Sequence, residues 1–171
     1  MEAAGGEQAT WAHMRRAAKE SAIGAWRDAW RNDEDGLRNG WFGPANHLTP
    51  SPRPCKHFYE LSTNRRVFGL VTQCRTGHAF TGEYYSRFVP TESIACPCVA
   101  GLQTRNHILL HCERYDAHRH VLSKPFPSMR LKDILGTKKG IMALAKFISL
   151  TGAFTKTGDT ILAQIQDHGQ Q

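Results

Sequence analysis

Residues 94–115, I-A-C-P-C-V-A-G-L-Q-T-R-N-H-I-L-L-H-C-E-R-Y, constrain this chain more than any other stretch. They hold three of its five cysteines and two of its nine histidines. Cys96 and Cys98 flank Pro97, His107 follows after eight residues and Cys112 after four more, giving C-x-C-x8-H-x4-C. Three thiols and an imidazole over so short a span suit one tetrahedral Zn²⁺. Pro97 fixes its own φ and pushes Cys96 towards extended backbone, so both thiols can face one side of a stiff turn. Thr104 is the expected N-cap of a short helix over residues 105–111, which presents His107 from its first turn. His111 is the rival for the fourth position. It lies four residues from His107 and shares its helix face, whereas Cys112 lies five away and does so only if the helix ends before it. The alternative to metal is that these are ordinary buried core thiols.

With 171 residues, one principal domain with loose ends is expected. An odd cysteine count and an opening segment without a signal-peptide pattern favour a reducing, intracellular setting, nucleus or cytoplasm, and metal ligation over disulfides. No apolar run approaches the length of a membrane span. The net charge of +7 is unevenly spread: residues 1–40 hold six basic and seven acidic groups, and residues 41–171 hold sixteen and eight. A polyanion, RNA or DNA, is the natural partner of the second segment.

Residues 7–31 read as one amphipathic helix, with Trp11, Met14, Ala18, Ala22, Trp26 and Trp30 on one stripe. The face marked by Trp11, Trp26 and Trp30 needs a surface to lie on, either the later core or a docking partner. A Pro/Gly-rich linker follows over residues 32–60, in which His47 and His57 read as surface histidines. The module proper is expected at 61–154. Its first helix, capped by Ser62 or Thr63, buries Val67, Leu70, Val71 and Cys74 and ends at Gly77. A second helix over 79–88 carries Phe80, Tyr84, Tyr85 and Phe88 and stops at Pro90. Arg65, Arg66, Arg75 and Arg87, joined by Arg105 beside the metal stretch, are the candidate phosphate contacts. Tyr84, Tyr85 and Tyr115 are the candidate stacking rings for unpaired bases. His78 has no carboxylate or nucleophile near it in sequence to serve proton transfer, and His118 and His120 read as surface or nucleic-acid-facing groups rather than ligands. Helix continues to about Leu122, and Thr137 caps a last helix with Ile141, Leu144, Ala145 and Ile148 inward and Gly152 at its exit. Residues 155–171 read as a loose polar tail. No period-two alternation appears, so the expected fold is all-α, five or six short helices around a central metal turn.

Residues 66–158 resemble the extreme C-terminal region, following the ribonuclease H domain, of fungal LINE-type (non-LTR) retrotransposon reverse transcriptase polyproteins. The matching blocks are R-T-G-H (75–78), G-E-Y-Y-S-R-F (82–88), C-P-C (96–98), Q-T-R-N-H-I-L (103–109), H-C-E-R-Y (111–115), L-G-T-K-K-G (135–140) and G-A-F-T-K-T-G (152–158). The resemblance implies a zinc-knuckle-like, nucleic-acid-binding tail with ligands Cys96, Cys98, His107 and Cys112. In one respect the chain departs from the family, which usually places Gly after the second cysteine. Here that residue is Val99, whose side chain disfavours a left-handed turn, so Gly101 is expected to supply it. The clustered carboxylates that a polymerase or nuclease needs for its metal ions are missing, which implies a non-catalytic fragment or remnant. The alternative function is a structural or protein-interaction module in which zinc only staples the core.

Overall fold

The computed structural model describes residues 10–32, 43–45 and 64–158. The chain divides into two compact units, Met1–Gly36 and Leu37–Gln171. In the first, α1 runs Trp11–Asn32 and none of its residues is buried. Trp11 is 76% exposed. The expected start at residue 7 lies outside the described residues.

The second unit is all-α. Among the described residues it has α2 (Arg65–Thr76), α3 (Gly82–Phe88), α4 (Asp116–Ser123), α5 (Leu131–Gly136) and α6 (Lys138–Thr151), with short 3₁₀ turns at Gly43–Ala45 and Glu113–Tyr115. There is no strand among them, only an isolated antiparallel bridge between Ala95 and Leu102. Helix α6 is the one on which α2, α4 and α5 pack. It buries Ile141, Leu144, Ala145, Phe147 and Ile148, the expected face enlarged by Phe147. A fully buried side chain of this size contributes roughly 1.5–3 kcal/mol, so this stripe anchors the core. Val67, Leu70, Val71 and Cys74 of α2 lie in the same core cluster. Cys74 is the buried small hydrophobe its position on α2 predicts, and burial pushes its thiol pKa up to about 12.

Helix ends follow local chemistry. Thr137 Oγ1 accepts from Gly140 N at 3.0 Å to open α6, and Gly77 and Gly152 close α2 and α6 at φ 75° and 65°. The cap of α2 is Asn64, whose Oδ1 accepts from Val67 N at 3.1 Å. The expected caps Ser62 and Thr63 lie outside the described residues, as do His47 and His57. Helix α3 begins at Gly82, not residue 79, because Thr81 is fully buried in an extended conformation. Within the expected linker, Gly43 and Ala45 are buried. The expected loose tail begins too early: Thr155 is buried, donates to Gly152 O at 2.6 Å and accepts from Gly158 N at 3.0 Å. Residues 159–171 lie outside the described residues. No described helix is long and apolar enough to cross a membrane.

Candidate metal centre

Two local structures supply the ligands. The first is a tight hairpin over residues 94–103. Gln103 N donates to Ile94 O at 3.0 Å and Cys96 N to Gly101 O at 2.7 Å, and Val99 N closes the Cys-Pro-Cys turn on Cys96 O at 2.9 Å. The second begins at Thr104, whose Oγ1 accepts from His107 N at 2.9 Å as a cap should. From His107–His111 the chain winds as a π-helical turn, and Cys112 N donates to His107 O at 2.7 Å. Cys112 itself is extended, with φ −66° and ψ 119°.

That wider turn decides between the rival ligands. The Cys112 amide closes the turn on the His107 carbonyl, the helical path ends at His111, and the extended backbone of Cys112 redirects its side chain; such π turns often mark functional sites. Cys112 is thus carried to the His107 side and buried, while His111 is exposed and stands outside the cluster.

The ligand atoms of Cys96, Cys98, His107 and Cys112 all lie within 4.8 Å of one another. Cys96 Sγ and Cys112 Sγ are 3.7 Å apart. A tetrahedral ion with metal–sulfur bonds of about 2.3 Å has S···S edges of about 3.8 Å, so this pair is already at ligand spacing. Cys98 Sγ and His107 Nε2 are 3.0 Å apart, a thiol–imidazole hydrogen bond that a metal would open slightly.

The amide environment also fits thiolates. Backbone N–H groups two residues on point back at each sulfur: Cys98 at Cys96, Ala100 at Cys98 and Arg114 at Cys112. For Cys98 the Ala100 amide is the chief influence and lowers its pKa. Burial outweighs the amides at Cys96, raised to about 12, and at Cys112, also raised. Two buried thiols and a third poised to ionise are a donor set that a divalent cation would draw into the thiolate form.

Val99 departs from expectation. It adopts φ 68° itself, and Gly101 is left-handed as well at φ 97°. The turn keeps the geometry that glycine would ease, and the valine side chain points into solvent, 91% exposed.

The knuckle is braced from three sides. Gly82 lies so close to the hairpin that a Cβ there would overlap the Ile94 carbonyl, and Glu83 N donates to Gln103 O at 3.1 Å. Arg105, expected to contact phosphate, is instead buried. It pairs with Glu83 and donates to Cys74 O at 3.2 Å, tying the end of α2 to α3 and the ligand turn. Arg119 donates to the carbonyls of Leu109 and Cys112 and so fastens the far end of the π turn. Nothing in its spacing marked Arg119, since only the fold brings it back onto that turn.

Of the other candidate contacts, Arg75 is also turned inward, donating to Leu135 O at 2.7 Å and Ala45 O at 3.3 Å. Tyr115 is buried, edge-on to Phe147, and cannot stack on an external base. Arg65, Arg66 and Arg87 are exposed, and Tyr84 and Tyr85 are half-buried. Tyr84 sits in an aromatic ledge with His78 at 5.5 Å and Phe88 at 4.9 Å. His118 is half-buried and His120 exposed.

The fold and site define an all-α module built around a compact Cys₃His cluster able to hold a metal ion. No protein-family model matches the chain, and no curated protein or solved structure is significantly similar to it.

Proposed function

We propose that Cys96, Cys98, His107 and Cys112 bind one Zn²⁺ as a structural ion, and that the module it holds binds RNA or DNA without catalysing a reaction. The carrying observation is the completeness of the donor set: four ligand atoms within 4.8 Å fill a tetrahedral shell. Catalytic zinc keeps one position open for water or substrate, whereas structural zinc does not. The ion would stitch the 94–103 hairpin to the turn at His107–His111.

Nucleic acid is supported by the +7 charge and by exposed Arg65, Arg66 and Arg87 on the two helices preceding the knuckle. The His78–Tyr84–Phe88 ledge offers ring faces, with Phe88 58% exposed. Resemblance to the C-terminal tail of fungal LINE-type polyproteins points the same way, and with it goes an intracellular setting, nucleus or cytoplasm. Binding to a labelled single strand should weaken steeply with salt, and Arg65→Gln with Arg87→Gln should flatten the log–log slope by roughly 0.7 per lost phosphate contact. Failure of the zinc-loaded protein to bind at low salt would reject this reading.

A second reading draws on α1, where Met14 and Trp26, at 43% and 40% exposure, join Trp11 as solvent-facing apolar groups. In that case the zinc-held unit is a staple and the α1 face docks a partner protein, with association insensitive to salt.

A further inference from the structure

A cavity of about 230 Å³ opens beside the knuckle. Pro97, the residue between the paired cysteines, forms part of its wall. Phe80 and Tyr85 give it ring surface, Arg114 and Lys156 give it positive charge, and Gln103 adds a side-chain amide. Its volume falls below the ~300–1,000 Å³ typical of sites for drug-sized ligands, and a single planar heterocycle suits it better.

Its parts are held in place. Phe80 lies next to buried Ala79 and Thr81 yet is itself 38% exposed. The Arg114 guanidinium lies 5.9 Å from the centre of the Tyr115 ring. The chain around Thr155, fixed by that residue's own hydrogen bonds, brings Lys156 to the lining, where its Nζ is 3.5 Å from Glu92 Oε1. One carboxylate against two cations leaves the lining net positive.

We propose that this cavity receives one unpaired nucleobase of a bound single strand, stacked against Phe80, with the adjoining phosphate on Arg114. The proposal rests on the nucleic-acid reading above and deepens it by assigning a site and a preference for bases over bare backbone. Aromatic surface distinguishes the cavity from a simple phosphate cradle, because ring stacking recognises any base by its π-face. An amide that both donates and accepts can pair with a base edge. Lys156 is the second cation, but its proximity to Glu92 makes Arg114 the better phosphate contact.

The test compares a short single-stranded oligothymidylate with an abasic oligomer of the same length and charge. Fluorescence anisotropy is read on the zinc-loaded full chain, with circular dichroism and zinc content checked for every variant. Stacking one base is worth about 1–3 kcal/mol, or roughly 5- to 150-fold in affinity. Wild type should therefore prefer the base-bearing strand by at least about fivefold. Phe80→Ala should remove most of that preference and leave affinity for the abasic oligomer unchanged. Arg114→Gln should weaken both oligomers while keeping their ratio, and it serves as the second probe if Phe80→Ala fails to fold. Equal binding of both oligomers by wild type, or a preference untouched by Phe80→Ala, would overturn the base pocket while leaving general nucleic-acid binding intact. No binding of either oligomer would overturn both. Displacement of the oligothymidylate by an acidic aromatic peptide but not by unlabelled oligothymidylate would assign the cavity to a protein partner and also overturn it.

Discussion

Val99 occupies a conformation that β-branched side chains rarely adopt, with φ 68°. Left-handed backbone costs a non-glycine residue about 1–2 kcal/mol, and strain of this kind persists only where the surroundings over-determine it. Here the surroundings are the hairpin hydrogen bonds and the need to turn the Cys98 sulfur towards His107. Val99→Gly should therefore raise stability in urea by about 1 kcal/mol after the entropic penalty of glycine is offset, with zinc still bound. A loss of stability would mean that the left-handed turn is not held in solution. Cys74 makes a second residue-scale prediction. Its thiol pKa is about 12 in the fold against 9.0 for the unperturbed group. The core therefore accepts the neutral thiol, and its contribution is complete below pH 9. Stability should fall as pH rises from 9 towards 12, where the unfolded chain ionises and the folded one does not. Denaturation midpoints measured over that range should decline less steeply in Cys74→Ala.

At the scale of elements, what joins the ligand turn to the helices is the ion pair of Arg105 with Glu83, whose side chains are 6% and 14% exposed. Removing one partner of a buried pair strands the other, at a cost of about 3–5 kcal/mol. Arg105→Ala should lose that much in chemical denaturation, and a change confined to nucleic-acid affinity would contradict its burial. Helix periodicity and closing glycines foretold α2 and α6, because Val67, Leu70, Val71 and Cys74, and Ile141 through Ile148, repeat at core spacing and end at Gly77 and Gly152, whereas the opening cap of α2 is Asn64 and not the expected Ser62 or Thr63. The inward turn of Arg75 and Arg105 was not legible, since an arginine on a polar face reads the same whether it meets water or a distant carbonyl. The ligand set was legible down to His111 against Cys112. That choice depended on the helical turn ending at His111 with Cys112 extended, a boundary that side-chain spacing barely encodes.

For the whole molecule, the knuckle is the junction at which α3, the 94–103 hairpin and the chain leading into α4 meet. The apolar core takes in Cys96 and Cys112 at one edge, but α5 and α6 carry none of the four ligands and are held by apolar burial. A chelator should therefore loosen residues 94–115, read as faster amide hydrogen exchange there, while α6 stays protected, because metal binding and local folding are coupled. Burial of Thr155 was missed for a related reason: its hydrogen bonds close a strap whose value depends on the fold beneath it.

Three thiols and one imidazole within 4.8 Å of one another would make a single closed site for zinc. Elemental analysis of the reduced, purified chain tests it most directly. Wild type should carry one zinc per chain, His111→Ala should retain it and Cys98→Ser should lose it. A wild-type protein that takes up no zinc, or a Cys98→Ser protein that holds as much as wild type, would contradict the account.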